Sequence, residues 1–146
     1  METMIDVRLA AISDAAELAK LNDLFNGEGS NTAGTIEESL KSNEDEIVCV
    51  ADDGSKLVGY CCGRMEKTMC RSYKNGYISN LFVMEEYRRR GVGRRLLAYV
   101  ENELGKHGAN HLHISTGTEN AISQTLYRSC GYADTSEFIL DKDLPK

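Results

Sequence analysis

Apolar positions along this chain switch repeatedly between strand-like and helix-like spacing, with glycine, serine, threonine or asparagine near most of the switches. Met4 to Ala10 reads as a strand. Ser13 then stands where a helix cap is favoured, ahead of Ala16, Leu18, Leu21, Leu24 and Phe25. Thr35 and Glu38 have capping-box spacing and predict a second, short helix. Glu46 to Ala51 and Lys56 to Met65 flank Asp52-Asp53-Gly54-Ser55, which predicts a hairpin. Tyr77 to Met84 is a short run of β-formers and reads as a buried strand. Leu96, Leu97, Val100 and Leu104 then fall on one face of a helix reaching about His107. His111 to Ser115 predicts another strand. A helix beginning at Asn120 closes at Gly131, and Glu137 to Asp141 reads as a last strand. Strands alternating with helices predict an α/β fold, a mixed sheet with helices on both faces. The Asn26 to Asn31 stretch is the flexible loop, and no repeat or linker divides residues 1–146, so one domain is expected.

Composition narrows the classes. A chain of 146 residues with 41% hydrophobic and 27% charged positions has the make-up of a globule with one core. No run approaches the length of a membrane span and no leader pattern opens the chain, so no membrane partner is expected. Five cysteines lack Cys-x-x-Cys spacing, and adjacent Cys61 and Cys62 point to opposite faces of a strand, so reduced thiols and a cytoplasmic location are expected. His111 and His113 share a strand face without a visible third ligand, so no metal is expected. Aromatics are few and tryptophan is absent, which argues against nucleic acid.

Charge placement changes the picture most. The chain is net −6, yet five of its nine arginines lie in Arg88-Arg89-Arg90-Gly91-Val92-Gly93-Arg94-Arg95. This segment joins the Tyr77 strand to the Leu96 helix. A glycine turn there leaves unpaired backbone N–H groups at the helix start, aimed at whatever sits before it. Acids usually occupy such a first turn, but here it carries Arg94 and Arg95. Dipole, donors and guanidinium groups add with one sign and suit a polyanion, a pyrophosphate above all. A Rossmann fingerprint fails because Leu96 occupies its third glycine position, and no Gly-Lys-Ser/Thr of a P-loop is present.

The segment Arg88-x-x-Gly91-x-Gly93 resembles the Gln/Arg-x-x-Gly-x-Gly/Ala motif of the GCN5-related N-acetyltransferase (GNAT) superfamily. A second stretch, Asn120 to Tyr132, is similar to that superfamily's Asn-x-x-Ala-x-x-Leu-Tyr-x-x-x-Gly-Phe, with Ala121 directly after Asn120 and Ser123 where alanine is frequent. The resemblance implies a mostly antiparallel twisted sheet of six to seven strands. It implies acetyl-CoA as co-substrate, its pyrophosphate bound by Arg88, Arg89, Arg90, Gly91, Val92, Gly93 and Arg94. Backbone at Leu81, Phe82 and Val83 would hold pantetheine and the thioester carbonyl, while those side chains read as core. A homodimer is a family-level expectation. Asn120 and Tyr127 share one helix face about 10 Å apart along the axis. The resemblance puts Asn120 near pantetheine and Tyr127 near the sulfur, as acid to the departing thiolate. An N-cap role for Asn120 and a packed-aromatic role for Tyr127 stay open beside these.

An ammonium group must lose a proton before it attacks a thioester, so a base or a water chain is needed. Many relatives carry Asp or Glu just before the Leu81 position; this chain has Asn80, which can place an amine or a water but accepts no proton. Glu28 is the candidate base or counter-charge. Cys130 as a covalent nucleophile is weaker than Cys130 as a small buried residue. Two function classes remain. One is direct acetyl transfer, in a ternary complex, to a primary amine of a small molecule (an aminoglycoside or polyamine among the candidates) or a peptide. The other is a non-catalytic acyl-CoA sensor, which Asn80 favours and Tyr127 disfavours. Charge reversal at Arg94 or Arg95 is expected to weaken acetyl-CoA binding, and to flatten its salt dependence, in a titration repeated across ionic strengths; equal affinity for variant and wild type at every salt concentration would refute the arginine argument.

Overall fold

The computed structural model describes residues 4–72 and 74–146, so Tyr73, within the Lys67 to Asn75 loop, lies outside the described residues. The chain divides into two units, Met1–Ser115 and Thr116–Lys146. The first is built on one sheet of five strands in chain order. Strands β1 (Asp6–Leu9), β2 (Glu46–Asp52), β3 (Leu57–Glu66) and β4 (Asn75–Val83) run antiparallel to their neighbours, and β5 (His111–Ile114) lies parallel to β4. Helices α1 (Ala15–Asn26), α2 (Ala33–Ser42) and α3 (Val92–Lys106) complete the unit.

Side chains divide between the two faces of the sheet. On one face the cross-strand row Val50, Tyr60 and Phe82 receives Leu18 and Leu21 of α1, with Ile36 and Leu40 of α2 at the margin. The Phe25 ring stacks on Phe82 with centroids 5.4 Å apart. On the other face α3 buries the predicted stripe of Leu96, Leu97, Val100 and Leu104 completely. Each such side chain is worth roughly 1.5–3 kcal/mol of burial. Close approach of α3 depends on glycine. A Cβ on Gly59 would stand 2.8 Å from the Phe82 carbonyl oxygen and 3.1 Å from Leu96 Cδ1, and one on Gly63 2.7 Å from Val100 Cγ1. The cysteines are all free thiols; Cys49 and Cys61 are cross-strand neighbours, Cys49 donating to the Leu96 carbonyl of α3, and Cys62 lies in the opposite core.

One irregularity governs the centre of the sheet. Ile78 pairs with Gly63 and Asn80 with Cys62, so Ser79 is an extra residue in β4. The bulge shifts the side-chain alternation by one position. Tyr77 therefore lies on the same face as Asn80 and Phe82, and its ring carries the Arg64 guanidinium at 4.7 Å and faces His113 at 4.8 Å.

In the second unit α4 (Ala121–Ser129) starts at Asn120, whose side-chain oxygen accepts from the Ser123 N–H at 3.1 Å. Gly131, at φ +98°, closes it in the left-handed region, as expected of a glycine there. Arg128 pairs with Asp134 at 2.8 Å.

Several expected boundaries move. Ser13 does not cap the first long helix. Residues Ile12–Asp14 form a 3-10 turn in which Asp14 accepts from the Ala11 N–H at 2.7 Å and is gripped by Arg8 at 2.8 Å. The second helix starts earlier than Thr35 because Thr32 is the cap, its hydroxyl accepting from the Thr35 N–H at 3.1 Å. Residues 137–141 carry no strand structure, and the sheet has five strands, not six or seven. A strand exists only through a ladder, and this segment has no ladder partner among the described residues. Gly59→Ala is expected to lower stability by about 1–3 kcal/mol, because its new methyl meets backbone oxygen rather than a yielding side chain; an unchanged urea midpoint would contradict that.

Candidate active site

The arginine turn is fastened at two points. After Val83 a 3-10 turn at Glu85–Tyr87 leads into Arg88, whose Nε donates to the Val83 carbonyl at 2.9 Å. The Tyr87 hydroxyl donates to Asp53 at 2.6 Å, tying the turn to the β2–β3 hairpin. Asp53 is buried and also accepts from the Ser55 and Lys56 N–H groups at 2.8 Å each. The Tyr87 hydrogen bond, followed by those backbone donors, holds its carboxyl well below the usual range. Its contribution to stability is therefore complete above the unfolded value of about 3.9 and is lost only as pH falls through the lower folded value. The Arg90 guanidinium lies 5.2 Å from the centre of the Tyr87 ring.

Backbone conformation then shapes the turn for an anion. Arg89 has φ +65° and Gly91 φ +77°, with Arg90 between them at negative φ. Such alternation gathers successive N–H groups on one concave side. Helix α3 begins at Val92 with no side-chain cap and no acid in its first turn. Val92 is buried and anchors the helix, while Arg89, Arg90 and Arg94 are exposed. These features fit the pyrophosphate of a CoA thioester.

The second element of the site is the free edge of β4. Strand β5 pairs with it only from Asn75 to Ile78, so among the described residues Ser79 to Val83 have no β partner on that side. The split begins at the bulge. Leu81 is half-buried, and Phe82 and Val83 belong to the core, which leaves their backbone as the groups to offer.

On the α1 and α2 side of β4 lies a cavity of about 240 Å³. Asn80 lines it together with Asn22, Asn26, Asn31, Tyr60 and Glu46. Burial pushes the Tyr60 phenol well up, and its hydroxyl reaches Asn22 Oδ1 at 3.4 Å. Burial also raises the Glu46 carboxyl, against the pull of Arg64. Glu28 is exposed and is not among the lining residues, although Asn26 and Asn31, on either side of its loop, are. Reading the chain alone misses Glu46 and Tyr60, because only the cross-strand register brings them to the face of Asn80.

In the second unit Asn120 is the α4 cap, and Tyr127 is buried with its ring edge-on to Tyr132 at 6.2 Å. The cap role and the packed-aromatic role are thus both occupied. Cys130 is half-buried at the end of α4. His111 and His113 hydrogen-bond the Asn75 amide between them at 2.8 and 2.7 Å, and no metal-holding group of three occurs among the described residues. No helix there is long and apolar enough to cross a membrane.

A five-stranded sheet whose fourth strand is bulged and split from its neighbour, followed by an uncapped, arginine-rich helix start, defines an acyl-CoA-binding class of fold. Residues 15–132 match the family model described as Acetyltransferase (GNAT) family. The chain belongs to that family and is an acyl-CoA-dependent N-acetyltransferase. It is 30% identical over 143 residues to the uncharacterised N-acetyltransferase YhfO of Bacillus subtilis (strain 168), spanning 92% of this chain and 94% of that one. It is 27% identical over 88 residues to an aminoglycoside N(6')-acetyltransferase type 1 of Salmonella typhimurium (strain LT2), which covers 56% of this chain and 61% of that one. The aminoglycoside N-acetyltransferase AAC(6')-Iy, solved with CoA, shares the fold with a TM-score of 0.83 at 20% identity, over 96% and 95% of the two chains.

Tyr87→Phe releases the turn from the hairpin without touching the anion-binding groups. Acetyl-CoA affinity is expected to fall by up to about tenfold, the scale of one hydrogen bond to a charged group. The accompanying loss of thermal stability at neutral pH should shrink as acid titrates Asp53. An unchanged dissociation constant by calorimetry would show that the tie plays no part in binding.

Proposed function

We propose that the protein transfers the acetyl group of acetyl-CoA directly to a primary amine of a small molecule. The observation that carries this reading is the cavity beside Asn80, which opens against β4 at the level where its free edge begins. Bound acetyl-CoA supplies an activated acetyl thioester. Arg88, Arg89, Arg90 and Arg94, with the backbone of Gly91, Val92 and Gly93, hold its pyrophosphate. The backbone of Leu81, Phe82 and Val83 lines the open edge of β4, where the Leu81 groups and the Val83 N–H align the pantetheine arm and polarise the carbonyl. Asn120 contributes its carboxamide to the same arm while it caps α4. Tyr127 gives its phenolic proton to the leaving thiolate. Asn80 orients the attacking amine. Glu28, exposed on the loop between Asn26 and Asn31, draws in a cation rather than moving a proton. The names of the aminoglycoside-modifying relatives support a small-molecule acceptor over a peptide.

The deciding experiment is acetyl-CoA-dependent thiol release across a panel of amines, blanked for protein thiols. Tyr127→Phe is expected to lower kcat by about 10²-fold or more, as removal of a general acid does, with acetyl-CoA affinity retained. Full turnover with an unchanged pH profile in that variant would remove the acid role. Acetyl-CoA binding without turnover on any small amine would overturn the small-molecule acceptor.

A further inference from the structure

The cavity beside Asn80 is lined by one charged side chain among the described residues, Glu46 at the start of β2. Its other polar lining is neutral, with carboxamides from Asn22, Asn26, Asn31 and Asn80 and hydroxyls from Ser39 and Tyr60. Glu46 is half-buried, and its carboxylate makes no hydrogen bond or ion pair among the described residues. Arg64, its cross-strand neighbour, is engaged elsewhere: its guanidinium lies over the Tyr77 ring at 4.7 Å and reaches Glu66 at 3.8 Å. A partly desolvated carboxylate with no hydrogen bond or close ion pair among the described residues, and only the more distant pull of Arg64, is costly at one wall of a cavity of amides unless a cation comes to it. Taking the transferase reading above as its basis, we propose that Glu46 seats the ammonium group of the acceptor and removes its proton. The acceptor is accordingly a monocation whose body is neutral and rich in hydroxyl or amide groups.

The step balances without a further reactant. The ammonium gives one proton to the Glu46 carboxylate. The freed amine nitrogen bonds to the acetyl carbon as the carbon–sulfur bond breaks, and the thiolate takes a proton from Tyr127. The acylated nitrogen loses its second proton, which restores Tyr127 by way of solvent, and Glu46 releases its own to water, so one proton is released per turnover. The groups facing Glu46 are Arg64 and the Cys62 thiol, both from β3, while α1 and α2 present only neutral side chains to the cavity. Burial raises the Glu46 carboxyl, which brings it nearer the strength of base the step requires.

The test uses D-glucosamine and 2-amino-1,3-propanediol as monocations, with spermidine and neomycin as polycations. Binding of each to the CoA-saturated protein is measured by calorimetry, and turnover is measured with acetyl-CoA. In wild type the monocations are expected to bind and turn over better than the polycations. In Glu46→Gln their binding should weaken at least tenfold, kcat should fall about 10²-fold, and the acid limb of the kcat/KM profile should disappear. If Glu46→Gln does not fold, Glu46→Asp keeps the charge one methylene further back; it should raise KM and retain the acid limb. Monocations that bind in a Glu46-dependent way without turnover would support the seat while refuting the direct transfer to such amines proposed above. Turnover and binding indifferent to Glu46, or preference for spermidine or neomycin, would overturn the inference and leave the transferase reading standing.

Discussion

The site depends on one extra residue. Ser79 has no opposite number in β3, and the last β4–β5 pair is Ile78 with Ile114. A bulge sharpens local twist, and β4 leaves its parallel neighbour at that point. The edge beyond is therefore unpaired inside a folded sheet, where a row of open amides would otherwise invite aggregation. The same residue resets side-chain alternation, so Asn80 faces the cavity while Ile78 points into the core beneath α3. Site and core thus share one strand, and the bulge separates their two registers.

Around that strand the chain uses short, strong ties instead of mass. Arg88 bonds the end of β4, Tyr87 bonds the hairpin through Asp53, and Arg8 joins Asp14 to Asp52 at 2.8 and 3.1 Å. The Tyr87–Asp53 and Arg8–Asp52 ties link segments far apart in sequence, and each buried or half-buried carboxylate among them is satisfied. Arginines that would repel one another are thereby held near a common point, while the acidic body keeps the rest of the surface unlike them.

Much of this was legible from residue order because it follows from local chemistry. The β2–β3 hairpin sits around Asp52 to Ser55, α3 buries the stripe it advertises, and Asn120 and Gly131 bound α4 as capping rules require. The arginine turn was visible because its charge contradicts the helix-dipole preference. Misjudged features involve competition or distance. Thr32 and Thr35 both suit a helix start, and only one makes the capping bond. Ser13 caps nothing because residues 12–14 form a 3-10 turn, whose Asp14 carboxylate is taken by the Ala11 N–H and by Arg8 of β1. The run at 137–141 has strand composition, but composition supplies no ladder. Glu46 looked like an ordinary first residue of a strand, since its neighbourhood with Asn80 exists only after two registers and a bulge are set.

The cysteines carry a consequence of their own. Cys49 and Cys61 are sealed beneath α3 and Cys62 beneath α1, whereas Cys70 stands exposed. Opening of the sheet on either side exposes a different set of thiols. The chain thus contains native clocks for its two cores: a slow alkylating reagent, read by peptide mass, times the lifting of each helix layer separately, with no label introduced.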